Sequence, residues 1–341
     1  MNVAFKYAVL VLFVLSARAS SAQKIPGADL KELVRKEDSL KSVSDSMINA
    51  ENPASRFRAD SNFVRMLIRS LKTKNSFYYP FDSIATVSRL VAPDSSFRIF
   101  TWQLKRDEYM YIQKGAIQIN TPDGSLKLYP LFDASMFTGK PVDSVRTRTN
   151  WIGAVYYRII QKEYNNKKFY TLLGFDDFSV SSNRKWMEVL TFNENGEPVF
   201  GGPFVSFRED TLKKPTQQRF GIEFKKEART TLNYSTDMDM IIFDHLVSEN
   251  DEPDRKDTYI PDGDFEGFKW DKGQWVHVNK IFNFALKDGQ SPLEQAILDK
   301  EGNVDEQKLI EQSIKNQEKA NGEKPKKEPT KPAAKKKIIP K

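Results

Sequence analysis

Three acids alternate at Asp262, Asp264 and Glu266 in the run "DTYIPDGDFEGFKWDKGQW" (Asp257 to Trp275), with Phe265, Phe268, Trp270 and Trp275 around them. On one extended segment, alternate residues face the same side, and three carboxylates there suit a hard cation such as calcium. The order D-G-D-x-E is nevertheless not the D-x-D-x-D-G loop with a distal Glu that wraps calcium in a helix–loop–helix site. Pro261-Asp262-Gly263 and Asp271-Lys272-Gly273 are both turn tripeptides, so the first reading is two tight turns between strands. No cofactor is expected, and calcium at Asp262, Asp264 and Glu266 is the alternative. Trp270 and Trp275 are the candidates for stacking on a sugar ring. With 24 Phe against 5 Trp, however, the aromatic content suits core filling better.

Other chemistries find fewer residues. Hydrolysis by two carboxylates needs a facing pair in a cleft. Asp176 and Asp177 in "GFDDFS", together with Asp264, are the candidate catalytic acids, with Asp237 and Asp239 in "STDMDM" a further pair. The chain has 2 His, His245 and His277, each placed in a strand pattern. Pairing of those strands would bring the imidazoles together near Asp239 or Asp244, as in a two-His, one-carboxylate metal site. Spacing along the chain does not demand it, and half-buried sheet residues are the plainer reading. There is no G-x-S-x-G elbow, no H-E-x-x-H, no phosphate-cradling glycine loop and no dinucleotide fingerprint. The chain has no Cys, which removes thiolate chemistry and disulfides.

The elements that must position these residues follow from periodicity. "DLKELVRKEDSLKSVSDSMI" spaces Leu33, Leu40 and Met47 seven apart beside Leu30 and Val43, one apolar stripe on a helix. A second helix is predicted from Asp60 as N-cap, with Phe63, Met66, Leu67 and Leu71 on one face. A third, "FDSIATVSRLV", ends before Pro93. From Phe97 the period becomes two. Strands are expected at 97–104, 109–119, 126–131, 238–247 and 274–282 and in "RFGIEF". Hairpins are expected in "VYYRIIQKEYNNKKFYTLLGF", turning at Asn165-Asn166, and in "KWMEVLTFNENGEPVF", turning at Asn195-Gly196. At least ten strands with short connections and no helical crossovers predict a mainly β fold. Its expected form is one large antiparallel up-and-down sheet, barrel- or sandwich-like, with a propeller as the remaining alternative.

Both ends of the chain bear on location. "MNVAFKYAVLVLFVLSARASSAQ" has a basic start, a short apolar core and small residues, the pattern of a secretory signal cleaved after Ala22. At the other end, "SPLEQAIL" opens a helix with Ser291 as N-cap and Glu294 closing a capping box. The last 21 residues hold eight Lys against two Glu, a composition expected to be disordered. Together with Lys6 and Arg18 of the signal, they account for the +7 of the whole chain and leave the body near neutral. A nucleic-acid-binding face is therefore not expected. The tail suits weak, salt-sensitive attraction to an anionic envelope polymer or an acidic partner. The expected divisions are 1–22 signal, 23–92 helical segment, 93–285 β domain, 286–320 C-terminal helices and 321–341 tail. No transmembrane segment is expected after signal cleavage.

The run "FYYPFDSIATVSRLVAPDSSFRIFTWQ" together with "MIIFDHLVSEN…YIPDGDFEGFKW" resembles a group of exported proteins of the Bacteroidota. The similarity spans much of 77–282. The group brings no assigned activity and no catalytic motif, so the resemblance implies location and carries over no site residue. The resulting expectation is an exported protein, periplasmic or at the surface of a Gram-negative cell. Its expected role is non-enzymatic binding of an envelope protein or anionic polymer. The alternative is a carboxylate-dependent hydrolase acting on glycan or other envelope material.

Overall fold

The structure is a computed structural model and describes residues 25–107 and 109–281. Helix α1 (Gly27–Asn49) buries the predicted stripe, with Leu33, Leu40 and Met47 fully covered. Helix α2 (Pro53–Leu71) begins one turn and more before the predicted cap. Asn52 is the N-cap, its side chain accepting from the Ser55 amide at 2.9 Å, and Pro53 occupies the first turn, where its missing N–H costs nothing. Asp60 is instead a buried mid-helix acid that accepts from Trp102 Nε1 at 3.0 Å and faces Lys114 at 3.4 Å.

The third predicted helix does not form. Phe81 sits at positive φ, and the Arg89 guanidinium takes the carbonyls of Ile84 and Val87 out of any helical ladder. The end of that run is strand β1 (Ser88–Val91), which pairs with β2 (Phe97–Lys105). Arg98 donates to the Ser76 carbonyl at 2.9 Å and to Gln118 Oε1 at 2.7 Å, with its guanidinium over the rings of Phe81 and Phe100.

The expectation of one large up-and-down sheet closing as a barrel or sandwich, and of a propeller behind it, is overturned. The strands form three open sheets. In the first, β1, β2, β3 (Tyr111–Ile119) and β4 (Lys127–Phe132) follow one another as an antiparallel meander. The second runs in the order β5 (Arg146–Thr147), β9 (Pro198–Phe200), β8 (Ser182–Phe192), β7 (Lys167–Asp176), β6 (Val155–Tyr164). β11 (Arg219–Lys225) also pairs with β8, from Glu188 back to Ser182, while β9 pairs from Leu190 to Phe192. The third runs β10 (Val205–Ser206), β15 (Gln274–Val278), β14 (Tyr259–Asp271), β13 (Met240–Ser248), β12 (Leu232–Ser235), and its β10–β15 pair is parallel. A parallel pair and a strand edge shared by two partners are both incompatible with an up-and-down order. The chain leaves the first sheet through 133–145 and then alternates between the other two, β9 and β11 lying in the second sheet and β10 and β12 in the third, with Gly201, Gly202 and Pro203 making the first of these crossings.

Three apolar layers result. One lies between the helices and the first sheet (Phe63, Leu67, Phe100, Trp102), one holds first- and second-sheet residues together (Phe97, Ile99, Leu172, Trp186), and one holds those of the second and third (Leu173, Met187, Phe243, Phe268, Trp275). Alternation along β8 serves two of them, Trp186 and Leu190 pointing one way and Met187 and Val189 the other. The Asn165-Asn166 turn has positive φ at both residues, as predicted. At Asn195-Gly196 only the glycine does, and the loop closes over three residues, with the Asn193 side chain accepting from the amides of Asn195 and Glu197. The predicted C-terminal helices and Lys-rich tail, like the signal, lie outside the described residues. Among the described residues no helix is long and apolar enough to cross a membrane.

Candidate functional site

The third sheet collects both histidines on one carboxylate. Register places Phe243 opposite Glu266 and Phe268 opposite His277, so these four residues share a face. Between the pairs Asp244–Phe265 and Leu246–Pro261, β13 has the single residue His245, whereas β14 has Asp262, Gly263 and Asp264. The Pro261-Asp262-Gly263 run is thus a bulge inside a strand and not a turn between strands. Gly263, at φ 95, supplies the left-handed step that the bulge requires. The bulge brings Asp262 Oδ2 to 2.8 Å from His245 Nδ1. Glu266 lies between the rings, Oε2 at 2.9 Å from His277 Nε2 and Oε1 at 3.7 Å from His245 Nε2. Asp210, from the segment after β10, closes the far end at 2.8 Å from His277 Nδ1.

The result is a row: Asp210, His277, Glu266, His245, Asp262. Both nitrogens of the buried His277 face carboxylates, an arrangement that only the doubly protonated ring satisfies. Burial opposes that charge, but the hydrogen bonds to Glu266 and Asp210 outweigh it and hold the ring above its ordinary pKa of 6.5. Phe207, Phe243 and Phe268 pack around the imidazole, with ring centroids 5.3 to 6.0 Å away.

The other predicted residues are scattered. Asp264 is exposed and pairs with Lys280 at 3.3 Å. Among the described residues no group of three His, Cys, Asp or Glu side chains stands converged to hold a metal ion, and the trio Asp262, Asp264 and Glu266 does not form one. Trp275 is fully buried and donates from Nε1 to Thr171 Oγ1 at 2.7 Å. Trp270 meets it edge-on, with planes 68° apart, so the pair is not a coplanar platform for a sugar. Asp239 is held by Lys162 and Tyr234, and Asp244 by the Thr231 amide, so neither joins the imidazoles. The acids that do join them are Glu266, Asp262 and Asp210. Asp210 was missed because it arrives from an irregular segment 67 residues upstream of His277.

Asp176 ends β7 in the second sheet and Asp177 follows it, whereas Asp264 lies in the third. Asp176 is buried and accepts from Gln113 Nε2 at 2.8 Å. Burial, with help from Asp133 and Asp177 and against Arg184 and Gln113, pushes its carboxyl up to about 7. Asp177 is ion-paired with Lys226 and hydrogen-bonded to Tyr111. The three catalytic candidates are not brought to one facing pair.

A different surface stands out by exposure. Phe132, Met136, Phe137 and Val145 project into solvent from a stretch of fourteen residues, Phe137 at 82% of its full accessibility. The segment that carries them is tied at both ends by polar groups. Asp133 accepts from the amides of Gln113, Ser135 and Gly153 at 3.0, 2.9 and 3.2 Å. Arg219, buried in an ion pair with Glu188 at 3.0 Å, donates to the carbonyls of Pro141 and Ser144 at 2.6 and 3.3 Å. A backbone held in this way has little conformational freedom of its own to lose on contact. Neither a protein-family model nor a curated protein sequence matches the chain.

Proposed function

We propose that this chain is an exported protein of a Gram-negative cell envelope that works by binding a protein partner through the apolar segment 132–145. The observation that carries this reading is the exposure of Phe132, Met136, Phe137 and Val145 on a segment anchored by Asp133 and Arg219. Clustered exposed apolar side chains are costly in water and are typical of surfaces that meet another molecule. The signal-like residues 1–22 support export.

The test is affinity capture from envelope extract with the processed protein and with Met136→Asp/Phe137→Asp, quantified by mass spectrometry. Burial of one such side chain contributes about 1.5–3 kcal/mol, so the variant should lose bound partner by at least about tenfold. Both positions are exposed, which leaves the fold intact. Equal recovery by the two proteins overturns the reading. Fractionation of the native host checks location, with Gln23 expected as the first residue of the mature chain.

A further inference from the structure

We propose that the row Asp210–His277–Glu266–His245–Asp262 is a proton-operated clasp that fastens the stretch 209–216 to the third sheet and lets it go when His277 loses its proton. The segment follows β10 and stands in solvent along its length, Leu212 at 79% of full accessibility, with Asp210 as its one partly covered residue. Arg208 ties the start of the segment to Asp271 and Gln274, and beyond it Asp210 is the side chain that holds the segment to the sheet, through His277 Nδ1. A neutral imidazole has one N–H and can serve Asp210 or Glu266 but not both. Loss of the proton leaves two carboxylates around a ring that can satisfy one of them, and Asp210, on an irregular segment, is freer to move than Glu266, which the β14 ladder holds.

The surrounding groups do not replace that proton. From β13 and β14 the ring meets Phe243 and Phe268, and from the residue that follows β10, ahead of the segment, Phe207. Lys214 stands over the Phe207 ring at 5.2 Å, Arg208 is engaged with Asp271 and Gln274, and Lys280 with Asp264. His245 is held to Asp262 and lies on the opposite oxygen of Glu266. Because the folded ring titrates above 6.5, the clasp is closed below that pH and opens as pH rises through the elevated value.

Two measurements on the full processed chain test this. The first is an NMR titration of its 2 His rings, assigned with His245→Gln. The second is amide hydrogen exchange across 209–216 against pH, corrected for intrinsic rates. His277 should titrate above 6.5, and protection of 209–216 should fall at least about threefold through the same pH interval. Asp210→Asn is isosteric and keeps the fold. It should lower the His277 pKa and remove the pH dependence of protection. A His277 pKa at or below 6.5, or protection that stays constant while His277 titrates, overturns the proposal.

Discussion

Replacement of Asp176 by Asn should make the protein more stable, and only above acid pH. In the folded chain this carboxyl titrates at about 7 against an ordinary value of 3.8, because burial disfavours its charge. The raised value means that the folded state holds the proton more tightly than the unfolded one. The associated stability is fully present below about pH 4. It declines as pH rises and is gone once pH has passed about 7. Three pKa units correspond to about 4 kcal/mol as an upper bound. Asn is neutral throughout and keeps an acceptor for Gln113 Nε2. Its N–H₂ also offers a donor to Gln113 Oε1, a buried atom with no hydrogen-bond partner. Urea unfolding of wild type and Asp176→Asn at pH 4, 6 and 8 measures the effect. The variant should match wild type within about 1 kcal/mol at pH 4 and exceed it by about 2–4 kcal/mol at pH 8. A variant that is less stable at pH 8, or a difference that does not change with pH, would refute the reasoning. It would also return Asp176 to consideration as a carboxylate kept charged for chemistry.

Further outcomes can be checked by the same unfolding measurement. Arg219→Met strands Glu188 in a buried site and releases the Pro141 and Ser144 carbonyls, so it should cost about 3–5 kcal/mol, whereas Arg219→Met/Glu188→Met should recover part of that loss. Asn52→Ala removes the cap on the Ser55 amide and should cost about 1 kcal/mol, with Asn52→Asp close to wild type.

Local features of the fold were legible where local physics decides them. The heptad-spaced Leu33, Leu40 and Met47 located α1, and two asparagines located the β6–β7 turn. Asp60 misled because its type suits a cap, yet Asn52-Pro53 offers a better one earlier in the chain. The "FDSIATVSRLV" run misled because its helical spacing competes with pairing to β2 and with Arg89 binding two of its carbonyls. The division into three sheets was not legible, since it rests on β10 meeting β15 and on β11 meeting β8 across long sequence separations. For the site, the alternating acids marked the right neighbourhood for the wrong reason. Their alternation predicts one shared face for a metal set, or a turn, whereas a strand bulge turns Asp262 toward His245 and leaves Asp264 to Lys280.

The pairing of β10 with β15 has a consequence for how the molecule is made. Val205 bridges Gln217 nearby, but the strand partners of Val205 and Ser206 come at Trp275 and Val276, and Trp275 in turn bonds Thr171 of the second sheet. A polypeptide synthesised from its amino terminus can assemble the helices and the first meander early, but Ile241, Phe243 and Phe268 stay without their last neighbour until residue 278 has emerged. Premature termination anywhere before Gln274 would leave that greasy surface bare and ready to aggregate, so the final described strand acts as the keystone of biosynthesis.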